Sequence, residues 1–525
     1  MTSRWQAPPR SPSPATRSLP TAIACGLGAL LLYSLSAAPG VVWQDSATHQ
    51  WRIVTGTIEN ALGLALSHPL HYWLGRALVA TGLGEPAHLL NLMSGFFGAV
   101  GVGGLAFVVH RLVRRVGVTI LAAATLACAF IYWQMSSVTE TYTLAAALMT
   151  IEWALLIEYT RRRKPIWLVA VFLVNGLHVA DHLLGLLTLA PYGVFLLVQV
   201  WRRRVAFGWM IVAALLWVAA AAPYWLLCVQ VFQRTHDLAG TLQSAFFGGG
   251  TGEAGFRAEV LNTHVTLRQA AMIALNLGYN FPSLALPIAL FGMSRRASRP
   301  STRMVRPVLL AQTVLILLFV VRYSIVDQTT FFVPVCVTVA LWFGIGVDWL
   351  WQGARRWLRP LPRTLLQATP LLHVVCYCLF PLLAGQRGWL RSQLRHIPFR
   401  DEYRHFFEPW KFNDDSCQRL AQAVFGQVLA GDWIMTDGTV AFPLAYTYTV
   451  HGRSQKLPEK LRIYSWKTCL TEPAAGFPTS DEMRAHLQAG RRVLVIPDGT
   501  RFYDDLFGAE FTLKKGAEIW WIELP

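Results

Sequence analysis

Residues 88–110 read HLLNLMSGFFGAVGVGGLAFVVH and contain no Asp, Glu, Lys or Arg. A helix needs about 20 apolar residues to cross the hydrocarbon core of a bilayer, and this stretch is long enough. Ten further apolar runs accompany it, near 21–42, 117–135, 144–159, 165–178, 183–200, 206–230, 267–292, 307–321, 330–350 and 364–385. The sequence therefore predicts a multi-span α-helical membrane protein with about eleven transmembrane helices.

The composition of the whole chain agrees with a membrane protein. Of its 525 residues, 54% are hydrophobic and 14% are charged, whereas soluble globular proteins are about 25% charged. These values exclude a soluble cytosolic enzyme, a disordered chain and a disulfide-rich secreted scaffold. Residues 1–385 carry a net charge of +16 and residues 386–525 a net charge of +1. Because the excess lies in short loops, it indicates membrane orientation and no nucleic-acid partner.

The loops between the apolar runs alternate in charge. Nineteen Lys and Arg residues lie in one set of five loops, at 111–115, 161–164, 202–204, 294–306 and 351–363. Five lie in the alternate set, at 43–87, 136–143, 179–182, 231–266 and 322–329. Because basic loops stay on the cytoplasmic side, we expect a cytoplasmic N-terminus and a C-terminal region on the opposite side.

Residues 386–525 differ from the rest of the chain. Their charged fraction is ordinary, and short β-type runs at 433–436, 492–496 and 518–522 alternate with helix-like stretches. We predict a small extracytoplasmic α/β domain at 386–525, a transmembrane domain at 21–385 and a disordered cytoplasmic leader at 1–20. Cys417 and Cys469 are the cysteines outside the apolar runs, and they can pair if this region is in an oxidising compartment.

The loops expected on the outer face carry many polar residues. Their members are Asp45, Arg52, His68, His71, Tyr72, Glu140, Tyr142, His178, Asp181, His182, Arg322, Tyr323 and Asp327. Ionisable groups near a membrane cost free energy unless a cavity or partner receives them, so the shared placement predicts a functional site. Each residue also has a structural interpretation. Glu140 can cap a helix, Arg322 can anchor a helix end, and His178 and His182 can pack at an interface.

The order of these residues resembles the class C glycosyltransferases (GT-C), which take sugars from polyprenyl-phosphate carriers. The likeness is to the bacterial branch related to the protein O-mannosyltransferases, and it covers roughly residues 20–350. The matching pieces are Trp43-Gln44-Asp45-Ser46, His68-Pro69 with Tyr72, Glu140 with Tyr142, Gly176-Leu177 through His182, and Tyr323 with Asp327 before an apolar run that contains Pro334.

This resemblance implies a multi-pass enzyme of the bacterial inner (plasma) membrane. It would move a sugar, mannose by default, from a polyprenyl-phosphate donor to a hydroxyl of a protein, glycan or lipid acceptor. The transfer would take place at the extracytoplasmic face by a single displacement that inverts the anomeric configuration.

The resemblance also implies roles for individual residues. Asp45 would be the catalytic base, and Glu140 is the candidate for the second carboxylate, because Ser46, Ala47 and Thr48 stand where relatives often carry an acid. The other site residues would bind substrate, and they are Arg52, His68, Tyr72, Tyr142, His182, Arg322 and Asp327. Of these, Arg52, His68, His182 and Arg322 are candidates for contacts with the phosphate. No cofactor is implied with certainty, and no ligand motif supports a divalent metal.

Two other functions remain open. A membrane transporter or lipid flippase would use Glu152, which lies in the middle of an apolar run where an unpaired carboxylate is costly. A non-catalytic scaffold that displays residues 386–525 would require neither Glu152 nor Asp45. Only the transferase requires Asp45.

Overall fold

A computed structural model describes residues 18–249, 255–295, 300–325, 327–353, 361–391, 394–465, 468–497, 502–516 and 518–525. The helices before residue 391 are α1 (Ser18–Ser36), α2 (Gln44–Thr55), α3 (Pro69–Val79), α4 (Pro86–Val113), α5 (Val116–Ala127), α6 (Phe130–Met135), α7 (Tyr142–Arg162), α8 (Pro165–Asp181), α9 (Gly185–Trp201), α10 (Phe207–Ala220), α11 (Ala222–Thr235), α12 (Leu238–Phe247), α13 (Arg257–Val260), α14 (Leu267–Asn280), α15 (Ala285–Ser294), α16 (Pro300–Arg322), α17 (Phe332–Gly353), α18 (Leu361–Gln367) and α19 (Thr369–Arg387). Short 3₁₀ turns lie at Leu64–Leu66, Gln328–Phe331 and Pro473–Ala475.

Six candidate membrane spans correspond to α1, α4, α7, α16, α17 and α19. Two helix pairs raise the number to eight if each crosses as one span: α10 with α11, bent by 59°, and α14 with α15, bent by 103°. The apolar helices α5, α8 and α9 are shorter. The described part of the chain is thus a multi-span helical fold, and the count of eleven spans stays a prediction.

The two bends interrupt the apolar runs at 206–230 and 267–292, each of which we predicted as one span. Pro223 occupies the second position of α11, and Pro282 lies in the break between α14 and α15. Proline has no N–H group to continue the helical hydrogen bonds, so both positions favour a break.

The glycines of residues 88–110 have a packing role in α4. A Cβ atom at Gly98 would lie 2.2 Å from the Ser136 hydroxyl, and one at Gly101 would lie 2.2 Å from the Tyr132 hydroxyl. Tyr132 donates a hydrogen bond to the Gly98 carbonyl at 2.9 Å. This close approach holds α6 and the loop that follows it against α4, and that loop carries Glu140.

The C-terminal region contains a six-stranded sheet and short helices. The strands are β1 (Trp433–Thr436), β2 (Arg462–Ser465), β3 (Thr468–Cys469), β4 (Val493–Val495), β5 (Thr512–Lys515) and β6 (Trp520–Glu523). The helices are α20 (Glu402–Phe407), α21 (Ser416–Phe425), α22 (Gly438–His451), α23 (Ser480–Gln488) and α24 (Phe502–Phe507). The strand order is β3-β2-β1-β4-β6-β5, with β1 parallel to both β2 and β4.

The three predicted β-type runs coincide with β1, β4 and most of β6. Strands β2, β3 and β5 were not predicted, because they lack a bounded apolar run. Of the predicted leader, residues 1–17 lie outside the described residues, and residues 18–20 form the first turn of α1. Cys417 and Cys469 are both buried free thiols, and they lie in different apolar clusters.

Candidate functional site

Asp45 lies in the first turn of α2, where a carboxylate interacts favourably with the helix dipole. His49 and Arg52 follow it by four and seven residues, so the three side chains share one face of the helix. This spacing was readable in the sequence, yet His49 was not among the predicted site residues. The same is true of His71, which was noted but not assigned a role.

Asp45 faces a small cavity of about 60 Å³, and Glu140 and Asp327 line the same cavity. The Ser46 hydroxyl donates a hydrogen bond to Glu140 Oε1 at 3.1 Å, and the Glu140 backbone amide donates to Ser94 Oγ at 2.9 Å. These bonds fix the Glu140 carboxyl group beside the start of α2. Three predicted site residues from distant loops therefore meet in one place.

Burial perturbs the ionisation of the three carboxyl groups, and neighbouring carboxylates add to the effect at Asp45 and Glu140. Burial among protein atoms, and then the Asp327 carboxylate, raise the pKa of Asp45 to about 7. Burial, and then the Asp45 carboxylate, raise the pKa of Glu140 well above its usual range. The raised pKa of Glu140 favours its protonated form, and Asp45 gains and loses its proton near neutral pH. A carboxylate with a pKa near the working pH is suited to general base catalysis.

Four imidazole rings form a second group beside the carboxylates. The His49 ring centroid lies 5.6 Å from that of His68 and 5.5 Å from that of His71, and the His68 and His182 centroids are 4.9 Å apart. Tyr142 continues the row, with its ring centroid 5.0 Å from that of His182. Burial lowers the pKa of His68 to about 4 and that of His71 to about 3, so both rings are neutral at pH 7.

The hydrogen bonds of two of these rings assign different tautomers. His68 Nδ1 lies 2.7 Å from the Asp181 carbonyl oxygen and must donate to it, so Nε2 of the neutral ring is an acceptor. His182 Nδ1 accepts from the Leu184 amide at 3.2 Å, so its Nε2 carries the hydrogen. In the neutral state, His182 can donate a hydrogen bond to a phosphate oxygen, whereas His68 can only accept.

Arg52 supplies the positive charge nearest to these histidines. Its guanidinium donates to the carbonyl oxygens of Ser67, at 3.0 Å, and Ile58, while its Nε has no partner. Burial lowers its pKa to about 10, which leaves it charged at pH 7. Arg52 therefore holds the 58–67 loop and keeps one N–H group free for a ligand.

The other predicted residues are placed differently. Tyr72 is buried in an apolar cluster with Ile53, Leu90 and Met93. Arg322 Nε donates to the Asn262 carbonyl oxygen at 2.6 Å, and Asn262 Nδ2 donates to the Arg322 carbonyl oxygen at 3.1 Å. Arg322 thus anchors the segment around α13, and its role toward a substrate stays a prediction.

The cavity wall also contains His405, Lys411 and Asp414, which sequence reasoning did not assign to the site. They belong to the C-terminal region, about which we predicted only that it lies on the same membrane side as Asp45. No local pattern at these positions indicates a site, because their contribution depends on long-range packing.

Glu152 has its own set of partners on α8. Its Oε1 accepts a hydrogen bond from Asn175 Nδ2 at 3.2 Å and lies 2.9 Å from His178 Nδ1. The side chain is fully buried. These contacts compensate one oxygen of the carboxyl group, Oε1, which indicates a structural network inside the membrane domain.

The described residues contain no group of three or more His, Cys, Asp or Glu side chains arranged to hold a metal ion.

Comparison with known proteins gives two findings. Residues 67–205 match the family model of the protein O-mannosyl-transferase TMEM260 N-terminal domain. The structure is similar to ArnT from Cupriavidus metallidurans bound to undecaprenyl phosphate, with a TM-score of 0.55, 15% identity, and coverage of 97% of this chain and 98% of that one. The chain has the ArnT fold. The apo state of the same ArnT matches with a TM-score of 0.54, 14% identity and the same coverage.

These findings confirm the predicted resemblance to GT-C glycosyltransferases, and they support a glycosyltransferase rather than a transporter or flippase. No curated protein matches the sequence.

Proposed function

We propose that this chain transfers a sugar, mannose by default, from a polyprenyl-phosphate donor to an acceptor hydroxyl with inversion. The proposal rests on the observation that Asp45, Glu140 and Asp327 line one cavity. The four histidine rings and the Arg52 guanidinium lie beside this cavity. This transfer needs a general base for the acceptor hydroxyl and hydrogen-bond donors for the leaving phosphate. A carboxylate that titrates near neutral pH and the neighbouring N–H groups can supply both.

The reaction assigns each group a task. The acceptor oxygen attacks the anomeric carbon while its proton passes to Asp45, and the bond between that carbon and the phosphate oxygen breaks. The leaving polyprenyl phosphate gains negative charge, which Arg52 and the Nε2–H group of His182 would stabilise. The raised pKa of Glu140 favours its neutral form, which leaves Asp45 as the base.

The donor class is supported by the solved structure of ArnT, which is bound to undecaprenyl phosphate. The related family model is that of a protein O-mannosyl-transferase, and this supports mannose as the first sugar to test. A protein, a glycan and a lipid remain equal candidates for the acceptor.

The proposed topology follows the charge of the loops. The chain would cross the bacterial inner membrane eleven times if α5, α8, α9 and each bent pair all cross, with a cytoplasmic N-terminus. Residues 21–385 would form the transmembrane catalytic domain and residues 386–525 the extracytoplasmic domain. The variant Ser454→Cys tests this orientation, because Ser454 is an exposed residue of the C-terminal region. In intact cells, a membrane-impermeant thiol reagent should label the new cysteine.

The test of the function uses the purified full chain in detergent with radiolabelled undecaprenyl-phosphate mannose. Label released from the lipid is compared for the wild type, Asp45→Asn, and a control, Asp481→Asn, whose side chain is 92% exposed on α23. We expect release by the wild type and the control, and strongly reduced release by Asp45→Asn.

Equal release by all three proteins would remove Asp45 from the mechanism. If the wild type releases no label, a panel of polyprenyl-phosphate sugars follows, and inactivity with all of them would contradict the donor class. A parallel sample with EDTA tests metal dependence.

A further inference from the structure

The backbone directly before Asp45 is strained. Gln44 has a φ of +60°, in the left-handed region that residues with a side chain seldom adopt. Such a conformation persists only where the surrounding structure holds it, and it often occurs next to functional groups. The neighbouring Trp43 is extended, with φ −84° and ψ 165°, so the chain turns sharply at Gln44 to start α2.

Residues 400–416, named here the C-terminal clamp, hold this turn through Trp43. The indole Nε1–H donates to Ser416 Oγ at 2.8 Å, across 373 residues of sequence. The Arg400 guanidinium lies 5.4 Å from the centroid of the same ring. Ser416 is held in turn by Asp414, whose Oδ1 accepts from the Ser416 amide at 3.1 Å.

The C-terminal clamp is itself well fixed. Arg400 makes a bidentate ion pair with Glu402, at 2.7 and 2.8 Å. The Lys411 ammonium donates to the carbonyl oxygens of His405 and Glu408, at 2.8 and 2.7 Å. The Lys411 amide donates to the Ser36 carbonyl oxygen at 2.8 Å, at the end of α1. The clamp therefore holds both ends of the connection between α1 and α2.

We infer that the C-terminal clamp is a positioning device for Asp45: by fixing Trp43, it stabilises the strained Gln44 turn and directs the carboxylate into the cavity. This inference rests on the proposed function, in which Asp45 is the base. Trp43, Arg400 and Ser416 are then positioning residues that act through the backbone. The C-terminal region takes part in the reaction without supplying the reacting group.

The test variant is Trp43→Phe, which retains an aromatic ring for Arg400 and removes the N–H group that Ser416 accepts. We expect kcat to fall about 10- to 100-fold because a displacement of about 1 Å costs on this scale, with KM for undecaprenyl-phosphate mannose changed less than about twofold. The pH midpoint of kcat should fall, because water reaches a displaced Asp45 more easily. The charged groups that line its cavity are Glu140, Asp327, His405, Lys411 and Asp414.

A second substitution distinguishes positioning from general damage. Glycine adopts a positive φ without steric cost, so Gln44→Gly should restore most of the kcat of Trp43→Phe. The matched control is Trp51→Phe in α2, whose ring packs edge-on against Phe442 of the C-terminal region at a centroid distance of 5.5 Å. This control should retain the wild-type kcat and pH midpoint.

Hydrogen exchange provides a readout that does not depend on activity. In Trp43→Phe, the amides of residues 43–48 should exchange at least about tenfold faster, while those of residues 50–55 change little. Unchanged exchange at 43–48, or a loss of kcat that Gln44→Gly does not restore, would overturn the inference. If the wild type transfers no sugar from any donor of the panel, the proposed function fails, and the exchange data still decide whether the clamp holds the turn.

Discussion

Two acidic sites in this protein differ in how their carboxyl groups are satisfied. Glu152 is enclosed between α7 and α8, and Asn175 and His178 both contact its Oε1. Asp45 faces a cavity that it shares with two further carboxyl groups and with few direct partners. A buried acid that is hydrogen-bonded to a neighbouring helix stabilises the helix pair, whereas an acid facing a cavity is available to a substrate. The sequence shows where the acids are, but it does not show which of them has hydrogen-bond partners and which faces a cavity.

The largest expected effect tests whether Asp45, and not Glu152, is the functional acid. Asp45→Asn should lower the rate of sugar transfer about 10²- to 10⁴-fold because it removes the proton acceptor. Glu152→Gln should retain the rate within about threefold, since the amide oxygen can still accept from Asn175. Initial rates with labelled donor measure both. A larger loss in Glu152→Gln than in Asp45→Asn would reverse the assignment.

The second prediction concerns donor binding by the histidine group. His182→Phe retains the ring but removes the Nε2–H donor, and a hydrogen bond to a charged group contributes about 1.5–3 kcal/mol. We expect kcat/KM for the donor to fall about 10- to 100-fold. His68→Phe should have a smaller effect, since the neutral His68 offers only an acceptor. Equal losses would show that the tautomer assignment does not govern binding.

The third prediction tests the structural side of the comparison. Glu152→Ala leaves the buried His178 Nδ1 without its partner, which should cost about 1–3 kcal/mol of stability. Asn175 Nδ2 still has the Gly185 carbonyl and the Thr188 hydroxyl as acceptors. Thermal unfolding in detergent should therefore show a lower midpoint for Glu152→Ala than for Glu152→Gln. The residual transfer rate at low temperature should stay near that of the wild type. Identical unfolding midpoints would contradict the proposed network.

The smallest effect is a shift along the pH axis. The base acts when deprotonated, so kcat should rise as pH increases through the Asp45 pKa of about 7 and level off above it. Asp327→Asn removes a negative neighbour, which should lower this pKa and move the midpoint to lower pH. The rate on the plateau should change little. A midpoint that moves to higher pH would exclude Asp327 as the group that raises the pKa.

Much of the fold was predictable because the signals are local. The apolar runs near 88–110 and 144–159 correspond to α4 and α7, and the run at 433–436 is β1. The 103° bend between α14 and α15 was not predicted, although Pro282 marks its place. Hydropathy measures only average composition, so it joined the two helices into one run.

The candidate site was predictable in part. Asp45, Glu140 and Asp327 were grouped by their expected membrane face, and they do line one cavity. His49 could have been found from its helical spacing to Asp45. The tautomers of His68 and His182 could not, because they depend on the Asp181 carbonyl and the Leu184 amide.

The sequence by itself determined that this is a multi-span membrane protein, and its residues carried the resemblance to a family of glycosyltransferases. Both inferences depend on composition and on short patterns, which can be read from the sequence without knowledge of the packing. Only the tertiary structure decided which acids have partners and which face a cavity. It also decided that Ser416 contacts Trp43 beside Asp45, since a contact between residues 373 positions apart depends on the packing of the whole chain.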